Sequence, residues 1–223
     1  MQLLAIYDMD KTITRAPTWT PFLIHAARAR APWRLALLPA AGIAGVGYTL
    51  GLVGRARLKE ISQRLMLGNS LSPAAMAALA DEFADRIAAA GVLDAARARI
   101  ASDRAEGYRI VMATASHGYY AVAIAARLGI GDVIATGAKR DAQGRVLAKL
   151  EGENCYGAAK LRMILDWLSR EGIERGGAHI RAYSDHVSDA PMLEWADEAF
   201  AVNAHGPLTA LAKAKGWAEF DWL

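Results

Sequence analysis

Apolar residues along this chain gather into short, nearly continuous runs separated by stretches of helical period. Leu3–Tyr7, Arg109–Ala113, Asp132–Thr136, His179–Tyr183 and Glu198–Val202 read as strands, the first apolar throughout, as a strand buried on both faces would be. Val92–Glu106, Tyr119–Leu128, Ala158–Arg170 and Ala190–Trp195 read as helices. Such alternation predicts an α/β fold with a mostly parallel sheet.

The spacing breaks once. Far more residues separate the first two strands than one crossover helix needs, so residues 15–71 are expected to form an inserted, all-helical cap on a core made of residues 1–14 and 72–223. Within the cap, Leu35–Gly54 carries no charge and is about as long as a membrane-spanning helix requires. A single crossing would leave Asp8 and Asp10 on one side of a bilayer and the later strands of the same sheet on the other, which sheet hydrogen bonding forbids. Pro39 with Gly42, Gly45, Gly47 and Gly51 predicts instead two short apolar helices or a kinked hairpin, packed on the core or dipping into lipid.

Composition narrows the class. At 223 residues and 54% hydrophobic, the chain can bury a sizeable core. The single cysteine, Cys155, excludes an internal disulfide, and the absence of a secretory leader at Met1 reads as intracellular, with the cytoplasm as the default. The net charge of +3 is unevenly placed: Arg15, Arg28, Arg30, Arg34, Arg55, Arg57, Lys59 and Arg64 share one stretch with a single acid, Glu60. This block fits either solvated helix faces or a surface attracting anions, including peripheral contact with an anionic membrane at its inner face. No aromatic-interleaved basic motif accompanies it, which argues against nucleic acid as a partner.

The candidate chemistry sits where strands end. The first strand runs into Asp8-Met9-Asp10-Lys11-Thr12, lifting two carboxylates out of its carboxyl end, where open α/β sheets bind ligands. Ile110–Ser116 is a second strand ending in hydroxyls, Lys160 opens a later helix, and Ser184-Asp185-His186-Val187-Ser188-Asp189 ends another strand. Paired acids, a lysine and hydroxyls at strand ends suit phosphoryl chemistry: one acid attacks phosphorus and the other manages the proton. His117 and His186 lack metal-site spacing and read as packing or rim residues; Cys155 reads as a small buried residue rather than a nucleophile.

This ordered set, with the Gly152-x-x-Cys155-x-Gly157 lead-in to Lys160 and the Tyr183–Leu193 stretch, resembles the haloacid dehalogenase superfamily. Within it, the set is similar to the phosphoserine-phosphatase-like branch, whose helical cap follows the first motif. The resemblance implies a Rossmann-like core and a Mg2+-dependent phosphomonoester hydrolase acting on a small organic or lipid-linked phosphate. Carried over by position, Asp8 is the nucleophile, Asp10 the acid and then the base, and Lys160 the cation against the phosphoryl oxygens. Thr114 and Ser116 donate hydroxyls, with help from the amides around Gly118. Asp8, Asp185, Asp189 and the Asp10 carbonyl are the expected metal ligands.

Two departures matter. Many members carry glycine where this chain has Lys11, which adds a cation beside the aspartates. Phosphoserine phosphatases place an acid shortly after the first motif to hold the substrate ammonium, whereas here no acid follows Asp10 until Glu60. The missing charge-assisted bond is a deficit of about 2 kcal/mol. Phosphoserine is therefore disfavoured, while Arg57 or Arg64 could hold a carboxylate or second phosphate. A phosphatidylglycerophosphate-type lipid phosphatase at the membrane surface, a phosphoserine phosphatase, a phosphotransferase to an acceptor other than water, and a non-enzymatic phosphate-sensing or membrane adaptor remain the alternatives.

Overall fold

The computed structural model describes residues 1–223. Its strands are β1 (Gln2–Tyr7), β2 (Ser70–Leu71), β3 (Arg109–His117), β4 (Asp132–Arg140), β5 (Val146–Glu151), β6 (Ala178–Ser184), β7 (Glu198–Val202) and β8 (Ala218–Phe220). They form one sheet in the order β2-β5-β4-β3-β1-β6-β7-β8. The six strands from β4 to β8 in that order pair in parallel, and β5 and β2 add an antiparallel edge.

The helices are α1 (Trp19–Arg30), α2 (Leu38–Thr49), α3 (Arg55–Leu67), α4 (Pro73–Arg86), α5 (Asp94–Ala105), α6 (Gly118–Arg127), α7 (Ala158–Arg170), α8 (Ala190–Trp195) and α9 (Pro207–Lys215). Side chains alternate across β1: Ala5 and Tyr7 enter one buried cluster with Phe22, Phe83 and Tyr120, while Leu4 and Ile6 enter another with Ile164, Trp167 and Leu193. Both faces of the central strand are therefore covered, which is why it is apolar from Leu3 to Tyr7.

The chain leaves β1 to build β3 and β4 on one side, then returns to build β6, β7 and β8 on the other. β1 thus lies at the point where strand order reverses, and a crevice opens beyond its carboxyl end. Asp8 is the first residue past that end.

Elements between β1 and β3 differ in detail from the expectation. α1, a 3-10 turn over Pro32–Leu37, α2 and α3 are helical, but Ser70 and Leu71 pair with Leu147 and Val146 of β5, so the inserted segment ends as a strand. Pro39 does not break the apolar run, because it sits in the first turn of α2, where its missing N–H would be unpaired anyway. The bend comes at Leu50–Gly54, where Gly51 takes φ +73°. No helix is long and apolar enough to cross a membrane. α4 begins at Ser72, whose hydroxyl accepts from the Ala75 N–H at 3.3 Å, and buries Met76, Leu79, Ala80 and Phe83.

Candidate active site

Asp8, Asp10, Lys160, Asp185 and Asp189 line one cleft of about 270 Å3 at the carboxyl end of β1. β1 delivers Asp8, α7 presents Lys160 from its first turn, and the bend after β6 carries Asp185 and Asp189. Lys160 Nζ donates to Asp8 Oδ1 at 2.7 Å and to Asp189 Oδ2 at 2.6 Å. The Ser184 hydroxyl donates to the same Asp189 oxygen at 2.7 Å. Asp189 Oδ1 is buried with no partner.

Three buried carboxyls, Asp8, Asp185 and Asp189, surround one buried ammonium, Lys160. Burial pushes the Asp8 carboxyl above its ordinary value, with Lys160 pulling against it and Asp189 and Asp185 pushing with it. Burial likewise raises Asp185 to about 6; Lys11 and Lys160 oppose that rise and Asp189 adds to it. For Lys160, burial lowers the ammonium, but Asp189 and Asp8 outweigh it and hold the group well above its ordinary value.

No three His, Cys, Asp or Glu side chains converge closely enough to hold a metal ion. A Mg2+ ion does not demand three, since it commonly takes one or two carboxylates and keeps waters. The hard oxygen donors, the closeness of Asp8, Asp185 and Asp189 in one cleft, and the unpartnered Asp189 oxygen all fit such a cation.

Asp10 is held separately. Its Oδ1 accepts from the Thr18 N–H and the Thr18 hydroxyl, both at 2.7 Å, and its Oδ2 accepts from the Ser116 hydroxyl at 2.8 Å. Tyr120 in turn donates to Ser116 at 2.7 Å. Three donors leave the carboxyl one orientation. Lys11, between the two aspartates and Thr12, adopts φ +65°, a left-handed conformation that explains a glycine preference there. It lies on the cleft wall.

Several expected residues lie elsewhere. Thr114 is fully buried and off the cleft wall, its hydroxyl accepting from the Ser116 N–H at 3.0 Å to shape the end of β3. Gly118 opens α6 away from the cleft, against Ala135 and Thr136. Arg57 and Arg64 are solvent-exposed, Arg57 pairing with Glu60 at 3.1 Å. The reason is helical phase: Lys59, Ser62, Gln63 and Met66 are the buried positions of α3, and positions 57 and 64 fall on its other side.

Arg55 and Lys59 take the expected place of that pair. Arg55 lines the cleft, stacked 3.8 Å over the Tyr156 ring. Lys59 is buried and donates to the Ala115 carbonyl and, at 2.5 Å, to Asn154 Oδ1. Burial and the nearby Arg55 push its ammonium down to about 8. Glu60 accepts from the Leu150 N–H at 3.1 Å and faces away from the cleft. Thr18, Tyr120, Arg55 and Lys59 were not anticipated; only the four-residue step from Arg55 to Lys59 was a usable signal.

His117 is buried, stacked on Tyr119 at 4.9 Å and beside Trp19, and burial drives it down to about 3, so it packs as a neutral ring. His186 is exposed at the cleft rim. Cys155 is buried with its thiol pushed up to about 12, chiefly by burial, which excludes a thiolate nucleophile.

A strand-end aspartate facing a buried lysine across the switch point of a parallel sheet defines a hydrolase class. The chain belongs to the haloacid dehalogenase-like hydrolase family, whose model matches residues 5–194. Among its relatives, phosphoserine phosphatase SerB1 of Mycobacterium tuberculosis is 32% identical over 146 residues, 66% of this chain and 46% of that protein. The match thus spans about half the length of that relative. A protein with unknown function from Bordetella pertussis Tohama I has TM-score 0.89 at 25% identity, with both chains covered in full. A phospho-aspartyl intermediate analogue of phosphoserine phosphatase gives TM-score 0.64 at 17% identity, covering 99% of this chain and 92% of that one, a likeness of fold.

Proposed function

We propose that this protein is a Mg2+-dependent phosphomonoester hydrolase working through an aspartyl-phosphate on Asp8. The observation that carries the reading is the buried excess of carboxylate around one lysine: Asp8, Asp185 and Asp189 against Lys160. In the first step an Asp8 oxygen attacks phosphorus and the ester P–O bond breaks, while Asp10 gives its proton to the leaving oxygen. In the second step Asp10 takes a proton from water, whose oxygen attacks phosphorus and releases Asp8 and inorganic phosphate. Lys160 orients Asp8 and sets a fixed positive charge beside the transferring group. Asp8, Asp185 and the Asp10 carbonyl would hold Mg2+, with Asp189 beside them; the ion supplies charge neutralisation for the phosphoryl oxygens.

A phosphorylated small molecule without an ammonium group suits the site better than phosphoserine. Glu60, the one acid of the inserted segment, is spent on Arg57 and the Leu150 N–H. The decisive experiment is Mg2+-dependent phosphate release from an aryl phosphate by the wild type and by Asp8→Asn. Undiminished release by the variant would remove Asp8 from the chemistry.

A second reading, that the phosphate is borne on an anionic bilayer, is favoured by α2. None of its residues is buried, and Ile43, Val46 and Leu50 face solvent. Arg28 and Arg30 are exposed at the end of α1. Sedimentation with anionic vesicles should fall as salt rises and fall further in Arg28→Glu/Arg30→Glu. No sedimentation at low salt would end this reading.

A further inference from the structure

A second chamber, of about 530 Å3, lies between α1, α2 and α3 and shares Asp10, Pro17, Arg55 and Ala115 with the catalytic cleft. Its size is that of a small-molecule site, about 300–1,000 Å3. The end shared with the cleft carries Asp10, the proton donor to the leaving oxygen in the proposed reaction, and Ser116, whose hydroxyl donates to it at 2.8 Å. Beyond them the walls turn apolar, with Trp19, Leu23, Leu38, Leu58 and Met66. The charged groups on its walls are Asp10, Arg55 and Lys59, so no carboxylate is available to an ammonium away from the reacting end.

α2 leaves this space open. Gly42 and Gly45 line the chamber, and a Cβ built on either meets nothing within 4 Å. Glycine in a helix interior is unfavourable relative to alanine, yet here two such positions border an unfilled volume.

Resting on the hydrolytic reading of Asp8, we propose that the alcohol part of the substrate is an apolar chain or ring seated in this chamber. The substrate is then an amphiphilic phosphomonoester, not a phosphorylated amino acid or sugar. Arg55, held by Tyr48 at 3.2 Å and stacked on Tyr156, stands where chamber and cleft meet and faces the phosphate end.

The test uses the full chain with Mg2+ and a series of ethyl, butyl, octyl and dodecyl phosphates kept below micelle formation, with phosphoserine alongside. The expected result is a rise in kcat/KM of up to about fourfold per buried methylene, ending in a plateau. Gly45→Leu, which fills the chamber while favouring the helix, should bring the dodecyl-to-ethyl ratio at least about tenfold closer to one. Gly45→Ala should do so less, and melting curves check that both variants fold.

A flat profile, a preference for phosphoserine over octyl phosphate, or a Gly45→Leu variant with an unaltered ratio overturns the proposal. Failure of the underlying reading looks different: no Asp8-dependent release from any ester, ethyl phosphate included. Comparing dissolved dodecyl phosphate with phosphatidate in vesicles separates a free amphiphile from a bilayer lipid, and preference for either over ethyl phosphate sustains the chamber assignment.

Discussion

Two clusters of buried acid adjoin β1 and β6, one through the side chains of Tyr7 and Arg181 and one just past their carboxyl ends, and they are built on opposite principles. Asp103 on α5 is fully buried, yet Arg181 reaches it at 2.8 Å, Arg99 at 3.3 Å, and the Tyr7 hydroxyl donates to its other oxygen. Every charge there has a partner from the chain itself. At the other cluster, Asp8 and Asp189 share Lys160, Asp185 is buried beside them with no ion pair, and one Asp189 oxygen has no partner. A chain that can neutralise a buried acid completely, and does so for Asp103, leaves the second cluster short of positive charge where the sheet opens a crevice. That contrast is the support for the proposed phosphoryl site with a divalent cation.

The largest effect expected from this contrast is on turnover. Asp8→Asn keeps the shape of the cleft and removes the attacking oxygen's charge, so kcat should fall by at least about 10³-fold, or about 4 kcal/mol at the transition state. Its melting temperature should hold or rise, because one repelling carboxylate is gone. A variant that loses activity only by unfolding would place the acid on the structural side of the comparison.

Asp103→Ala should behave in the opposite sense. It strands the Tyr7 hydroxyl and removes a carboxylate from Arg181 and Arg99, at a cost of about 3 kcal/mol in denaturant unfolding. The remaining folded protein should keep its kcat. Loss of kcat with unchanged stability would break the comparison from its other end.

Ligand-linked stability probes the shortfall directly. Mg2+ at about a hundred times its Kd should add about 2.7 kcal/mol by mass action, and chelation should reverse the gain. Asp185→Asn should shift the titration to higher concentration, whereas Asp103→Ala should leave its midpoint alone. Equal stabilisation of wild type and Asp185→Asn would mean that the cation binds elsewhere.

Lys59 adds a buried cation without a carboxylate contact, since its partners are a carbonyl and an amide oxygen. With the folded-state value pushed down to about 8 from 10.5, the unfolded chain binds the additional proton across that interval. Stability therefore rises with pH between about 8 and 10.5, by about 3 kcal/mol. Lys59→Met should lack this component when its unfolding curves are compared with wild type over the same range. Identical pH dependence in the two proteins would show that the ammonium is solvated.

The acid cluster proposed as catalytic was readable as a cluster because its residues are tied to sequence-local events. Asp8 follows an uninterrupted apolar strand, Lys160 follows the positive-φ Gly157 at a helix start, and Asp185 follows another strand. The balanced cluster was not readable. Asp103 sits inside a polar helix, where an acid ordinarily faces water, and its partners Tyr7 and Arg181 come from distant strands. Thr18 and Tyr120 are generic hydroxyls until folding brings them to Asp10 and Ser116. The choice of Arg57 and Arg64 over Arg55 and Lys59 turned on the rotation of α3, which contacts with Ala115, Asn154 and Leu147 fix.

Lys11 offers the smallest and most local test of the comparison. Its φ of +65° costs an L residue about 1 kcal/mol, and its carbonyl is pinned by the Asn203 amide at 2.8 Å. Lys11→Gly removes that strain and should stabilise the backbone by up to about 1 kcal/mol, offset in part by glycine's greater freedom when unfolded. It also removes a cation that pulls the Asp185 carboxyl down. A stabilised variant that requires less Mg2+ for half-maximal activity, its carboxylates relieved of a repelling cation, would show that Lys11 sets the charge of the cleft. A stabilised variant with unchanged Mg2+ dependence would reduce Lys11 to a loop residue and confine the charge shortfall to the three aspartates and Lys160.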